Sequence, residues 1–429
     1  MANLLSLPID ILVHIFRKLR AHDLRNLMLT CKSLNDFIKN DNRIWRSLAQ
    51  DFVILQDNMD NRWFNKYLWY YRCKISNNWH RGCYKSKALV YHYTNYMPWM
   101  KFHNSEILIF TVGSELVCYR TDKKGIPICS RPLWKIDVPK IIRHDIRTND
   151  ISRFIMKNNL LVCGNRDGCV AIYKLNNSPK IPKLVSHIKD CLDEGLVEVS
   201  AVELINNQNQ LSVVAGSSDS ASVLFCPLKN NTETVDVSNN KNDLWYIPLR
   251  DCTGTKSLSL NKVADKLAVG PNGNCIPLLF DIHSAQFLLT AEATKSRRQA
   301  VRDIHWHDDN TLVYVTHSGN LQLLDTRSHK LVYKARDPFQ SSLYCVKTDG
   351  NNGIVVGSAE YSRCVLFDAR CDSHHVQMYF TQKNPSPVYC LDFDSTKLIT
   401  AVDRGIAVLN FNIDYSSQEC RDYSGHIFH

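Results

Sequence analysis

Apolar and polar positions follow two different rhythms along this chain. Up to about residue 48 the apolar side chains return every three to four residues. Ile11, Ile15 and Leu19 fall on one helical stripe, and Leu12 and Phe16 on the stripe beside it. Pro8 suits the first position of a helix, where its missing N–H costs nothing, and Asp10 in that turn favours the positive end of the helix dipole. Asp23 is placed to cap a second helix carrying Leu24, Leu27, Met28 and Cys31. Lys32 to Lys39 predict a third helix, and Trp45 a short final turn. Beyond it Trp63, Phe64, Tyr67, Leu68 and Tyr71 keep helical spacing, predicting a linker helix over Asn61 to Lys74 with an aromatic face.

From about Lys87 the rhythm changes to short alternating or wholly apolar runs separated by Gly, Asn, Asp and Ser, the pattern of strands and turns. One kind of run recurs: Leu116–Tyr119, Val170–Tyr173, Val223–Phe225, Leu278–Asp281, Leu321–Asp325, Val365–Asp368 and Ala407–Asn410. The last of these return at the roughly 40- to 45-residue period of a WD40-type propeller blade. Inner-strand pairs precede the runs, such as Leu343–Val346 with Gly353–Ser358. Outer strands follow most of them, among them Lys183–Ser186, Leu244–Ile247, Phe287–Leu289, Leu331–Tyr333 and Val376–Phe380. The seventh set lacks an outer strand, while Ala88–Tyr93 is a strand without a blade. Pairing the two closes the ring and removes the open sheet edges. Asn230 to Asn242 is a polar insertion. The expected fold is therefore α+β multidomain: an all-α module over 1–48, a helical linker over 49–86, an all-β seven-bladed propeller over 87–413 and a tail over 414–429.

Three short helices in about 45 residues approach the size below which a chain buries too little surface to stand alone. Part of the N-terminal apolar surface is therefore expected to dock on a partner. Leu7-Pro8-x-Asp10-Ile11-Leu12, the Ile15/Phe16/Leu19 stripe, Asp23-Leu24, Cys31, Leu34 and Trp45-Arg46 resemble an F-box, the adaptor module that binds Skp1 in cullin-based ubiquitin ligases. The propeller half resembles the WD-repeat family with departures. The usual Trp-Asp becomes Phe280-Asp281, Leu324-Asp325 and Phe367-Asp368, the first three blades lack that Asp, and Gly425-His426 occurs only in the tail. Together the halves resemble the F-box/WD-repeat family. Ser76–Trp79, Met97–Met100, Ser342–Gly350 and Ser386–Leu391 carry the resemblance into the linker and the last two blades.

That resemblance implies a substrate-recognition subunit. Leu7, Pro8, Ile11, Leu12, Ile15, Phe16, Leu24, Leu34 and Trp45 would form or support the Skp1-binding surface. Skp1 would connect the chain to cullin-1 and the RING subunit, and the propeller would hold a protein substrate, with its phosphorylation left open. In similar phosphate-binding F-box propellers, arginines at two blade positions on one rim contact the substrate phosphate. Those places are occupied here by Arg153, Arg166 and Arg302, with Tyr344 and Tyr389 beside them. The competing assignment pairs these arginines with Asp167 and Asp303. A scaffold that binds Skp1 without assembling a ligase is the alternative function.

Composition narrows the remaining classes. Apolar content of 44% and charged content of 22% are those of a globular protein. No apolar run is long enough to span a bilayer, and no secretory signal is expected from Met1 to Leu19. The 16 cysteines are spread through apolar strand-like runs, as buried reduced thiols of a cytoplasmic or nuclear protein are. The net charge of +10 sits in no long run and in no basic stripe with interleaved aromatics, so no nucleic-acid partner is expected. Cys73, His80, Cys83 and His92 lack a CxxC pair, and His305 and His307 lack a third ligand, so neither set predicts a metal site. No phosphate-binding loop, HExxH or GxSxG is present. The sequence predicts no catalytic residue and no cofactor.

Overall fold

The computed structural model describes residues 4–49, 53, 68–91, 97–103, 106–122, 125–142, 147–157, 159–175, 180–207, 210–228, 244–289, 299–371, 375–380, 386–403 and 405–413. The N-terminal module contains α1 (Ile9–Phe16), α2 (Ala21–Thr30), α3 (Lys32–Asn40) and α4 (Asn42–Leu48). Pro8 stands just ahead of α1 rather than inside it, and Arg20, not Asp23, is the N-cap of α2. Asp23 sits in the first turn, where its charge still favours the dipole. The short final turn is a full helix: Asp41 caps it by accepting the Arg43 N–H at 2.9 Å, and Trp45 lies at its middle.

The linker helix α5 (Trp69–Arg81) runs further toward the propeller than the aromatic spacing predicts. Leu68 is its N-cap, and 61–67 lie outside the described residues. The helix ends at Gly82, whose φ of +64° lets its N–H turn back to the Asn78 and Trp79 carbonyls.

Among the described residues, strands form seven four-stranded antiparallel sheets. In chain order, blade 1 runs from Met100 to Asp137, blade 2 from Ile151 to Ile188 and blade 3 from Ala201 to Pro248. Blade 4 runs from Gly254 to Leu289, blade 5 from Val301 to Arg336 and blade 6 from Leu343 to Tyr379. Blade 7 takes three strands from Val388–Asn410 and its outer strand from Lys85–Tyr91, which pairs antiparallel with Gly405–Asn410. The ring is thus closed by the strand that precedes it, in the pairing expected for Ala88–Tyr93; residues 92–93 and the insertion after Leu228 lie outside the described residues. Third strands such as Arg363–Asp368 are buried at every position, which is why they read as continuous apolar runs.

Carboxylates stitch neighbouring blades. Glu203, Asp303 and Asp392, each on an innermost strand, accept the N–H of Leu260 (3.2 Å), Val346 (3.0 Å) and Phe102 (3.3 Å) of the following blade. The Val346 donor is buried, where an N–H without a partner would be costly, and the other two are partly buried.

The helical module is fixed to this ring through α5. Trp45 meets Tyr70 edge-on at 5.1 Å, and the Cys73 thiol donates to the Trp45 carbonyl at 3.5 Å. At the other end of α5, the Trp79 indole stacks on Phe411 and donates to the Ser395 carbonyl at 2.9 Å. Asn78 donates to the Phe411 and Ile413 carbonyls.

Candidate functional site

Helix α1 has two apolar faces. Leu12, Val13 and Phe16 turn inward against Leu24, Met28, Leu34, Ile38, Ile44 and Trp45, and all are buried. Pro8, Ile11 and Ile15 lie on the other side; Ile11 is 49% and Ile15 37% exposed, and Pro8 is exposed as well. The predicted docking residues therefore divide. Leu12, Phe16, Leu24, Leu34 and Trp45 build the small core, Leu7 is half-buried at its edge, and Pro8, Ile11 and Ile15 offer an open apolar strip. Ile9 (60% exposed), next to Pro8, and Leu29 (76% exposed), on α2, are further exposed apolar side chains, although sequence periodicity did not single them out. Ile9 sits on the same stripe as Phe16, but one turn beyond the end of the core.

The second constellation lies on the rim where the innermost strands begin and the second strands end. In blades 2, 4, 5, 6 and 7 the pairing of these two strands slips by one residue near the start. The slip falls at Ser152, Lys256, Arg302, Tyr344 and Tyr389. Such a bulge residue has no partner across the ladder, and the bend re-aims its side chain. Facing these positions, at the last residue of the second strand in blade 4 and just past it in the others, stand Asn272 and then Arg166, His317, Ala359 and Asp403.

This register joins four of the five predicted rim residues. The Arg302 guanidinium lies 4.8 Å from the Tyr344 ring centroid, and Tyr344 meets Tyr389 edge-on at 5.8 Å. The Tyr389 hydroxyl donates to Asp403 at 2.6 Å. Burial first, and then the Asp403 carboxylate, raise the Tyr389 pKa, while the charge of Arg166 acts in the opposite sense.

Arg153 is the correction. It follows the bulge at Ser152 and so occupies the place of Asp303 in blade 5, not that of Arg302. A one-residue offset sends a strand side chain to the other face. Arg153 lies 3.5 Å from Asp303 and 4.1 Å above the Trp99 ring, and is almost wholly buried. Its charge is committed inside the ring.

Two residues missed in the sequence complete the rim. Lys256 is the blade-4 counterpart of Arg302, and its Nζ donates to Ser218 at 2.8 Å. His317 Nδ1 lies 3.0 Å from an Arg302 nitrogen. Arginine can only donate, so Nδ1 accepts and the imidazole is neutral with its proton on Nε2. Burial, then the charges of Arg302 and Lys256, hold His317 below its ordinary pKa. Lys256 is lowered in turn by burial and by Arg302. Arg302 Nε is buried without a hydrogen-bond partner among the described residues. The recurrence of Thr255-Lys256-Ser257-Leu258 against Val301-Arg302-Asp303-Ile304 was the signal available for Lys256.

Among the described residues, no group of histidine, cysteine or acidic side chains is arranged to hold a metal ion. His305 turns toward Asp303 at 3.4 Å, and His307 bonds Thr348 at 2.7 Å. Cys73 is buried in the helical core, where burial pushes its thiol up to about 12. His92 lies outside the described residues.

Comparison with known proteins meets this geometry at the N-terminal module: residues 4–51 match the F-box-like family. The chain joins an F-box-like domain to a seven-bladed propeller. It is similar to F-box/WD repeat-containing protein 4 of Homo sapiens, 24% identical over 419 residues that cover 94% of this chain and 92% of that protein. It is also similar to the Mus musculus protein of the same name, 23% identical over 349 residues, covering 79% of this chain and 77% of that one. The likeness to the F-box/WD-repeat proteins thus spans both halves. An F-box-like domain beside such a propeller is the layout of an F-box substrate-recognition protein.

Proposed function

We propose that the chain is the substrate-recognition subunit of an Skp1–cullin–F-box ubiquitin ligase. In this reading the Pro8/Ile11/Ile15 strip and its supporting core bind Skp1, and through Skp1 reach cullin-1 and the RING subunit. The upper rim holds a protein substrate, with Arg302, Lys256 and His317 receiving an anionic group such as a phosphate. The chain itself catalyses nothing. It raises the effective concentration of a substrate lysine beside the charged ubiquitin carrier. It would act in the cytoplasm or nucleus, where its thiols stay reduced.

One observation carries the proposal. The F-box joint and the rim lie at opposite ends of one hairpin of blade 7. Trp79 of α5 bonds Ser395 in the turn after Val388–Phe393, whereas Tyr389 and Asp403 meet at that hairpin's far end. A six-residue strand spans about 20 Å, so a substrate on the rim points away from the joint at a fixed distance.

Co-purification of the full chain with Skp1 and cullin-1 tests the first half. The expected result is a stable complex that Ile11→Asp/Ile15→Asp abolishes. Binding to Skp1 without recruitment of cullin-1 would support the scaffold alternative, and no binding to Skp1 would end both readings.

A further inference from the structure

Beside the basic cluster, blade 6 presents an aromatic side chain to solvent on an unusually firm mount. Phe339, in the connection between blades 5 and 6, is 56% exposed. Its loop is fixed from below by Asp337, one oxygen of which accepts the N–H groups of Phe339 (3.0 Å) and Ser341 (2.9 Å). The same carboxylate receives the Arg363 guanidinium at 2.6 and 2.7 Å, and both side chains are fully buried. The guanidinium lies 4.5 Å beneath the Phe339 ring centroid. Tyr361 meets Phe339 edge-on at 6.4 Å. Gln340, Tyr361 and Ser362 all have positive φ (60°, 64° and 47°), a conformation costly for residues other than glycine.

A buried ion pair and three left-handed non-glycine residues are poor ways to stabilise a blade. They do fix the position of one exposed ring. The chain then runs from Phe339 through Gln340 and Ser341 to Ser342, whose hydroxyl donates to the His317 carbonyl at 2.6 Å. Three residues span at most about 11 Å, so the Phe339/Tyr361 pair and the Arg302/Lys256/His317 cluster lie within reach of one short peptide.

We propose that Phe339 and Tyr361 form an anchor subsite for an apolar side chain of the substrate, next to the subsite for its anionic group. The recognised element is an extended peptide in which a bulky apolar residue stands two to four positions from a phosphorylated or acidic one. Charge complementarity places the anionic residue on Arg302 and Lys256, and rigid aromatic surface receives the apolar one. The inference rests on the reading of this rim as the substrate face and adds the chemistry of the second contact.

The test is selection of an oriented library of phosphoserine peptides by the full chain, set against Phe339→Ser, Tyr361→Ser and Arg302→Gln variants whose thermal unfolding matches the parent. The parent should enrich Leu, Ile, Met or Phe two to four residues from phosphoserine. Phe339→Ser should erase that enrichment and weaken the selected peptides about 10-fold or more, with Tyr361→Ser acting in the same direction. Arg302→Gln should reduce dependence on the phosphate while leaving the apolar preference in place. If the parent selects peptides that Arg302→Gln weakens but neither aromatic variant affects, the anchor is overturned and the rim reading stands. If the parent selects none, the rim reading falls and the anchor with it.

Discussion

The indole of Trp79 lies flat on the ring of Phe411, with centroids 3.5 Å apart and planes inclined by 13°. This stack joins α5 to the end of the last propeller strand, and Tyr84 meets the same Phe411 ring edge-on at 5.6 Å. Trp79 is fully buried.

Trp79→Ala should therefore destabilise the chain by about 3–5 kcal/mol, the usual loss for emptying a buried aromatic site. Trp79→Phe keeps most of the apolar contact but loses the bond to the Ser395 carbonyl. It should cost about 1–3 kcal/mol, because the acceptor is left buried. Denaturant unfolding measures both. Hydrogen exchange across Trp69–Arg81 should accelerate in the alanine variant, and unchanged protection there would mean that α5 is held by something other than this stack.

The two faces of α1 separate stability from docking. Phe16→Ala should lower stability by about 3–5 kcal/mol and Leu12→Ala by about 2–5 kcal/mol, since both side chains fill the small helical core. Ile15→Asp, on the open face, should change stability by less than about 0.5 kcal/mol. It should nevertheless remove Skp1 from the purified complex. Calorimetry and a pull-down on the same preparations check the pair.

The sequence carried the repeat more clearly than the rim. Third strands such as Val365–Asp368 announce themselves because both faces are buried, and they recur at a fixed interval. The innermost strands do not, because a bulge breaks their two-residue alternation where the rim side chains stand. Ile151-Ser152-Arg153-Phe154 and Val301-Arg302-Asp303-Ile304 look alike as arginine-bearing starts, yet the first arginine falls one place later and turns inward. Phe339 was invisible for a different reason. Its exposure depends on Asp337 and Arg363, which are 26 residues apart and meet only through the folded blade.

That ion pair gives a prediction about stability. Asp337→Ala leaves Arg363 buried without its counter-charge and removes the acceptor for two loop N–H groups. The expected loss is about 3–5 kcal/mol. Replacing both partners by apolar residues, Asp337→Leu with Arg363→Met, should recover part of that loss while leaving the loop N–H groups uncapped. Unfolding curves of the two variants decide it; equal losses would show that the loop bonds, not the unpaired charge, set the cost.

Acid should weaken this fold well before its carboxylates titrate. Burial lowers the pKa of His103, His187 and His305 below the ordinary value, with the charge of Lys101 adding at His103 and that of Lys347 at His305. His305 also faces Arg153, which lowers it further, and Asp303, which opposes both. A histidine lowered in the folded state takes up its proton first in the unfolded chain, so the unfolded state gains as pH falls through about 6.5. Stability should decline from pH 7.5 to pH 5.5, and His305→Asn should flatten the slope. Asp303 enters later. Burial raises it, but His305, Arg153 and the Val346 N–H outweigh burial and hold it at about 2. Its contribution is complete above about pH 4, the unfolded value, and is lost as pH falls from there through about 2. Thermal unfolding at half-unit steps of pH should show two separated losses, and a melting temperature that rises on acidification from pH 7.5 would contradict the neutral, partly buried state of these histidines.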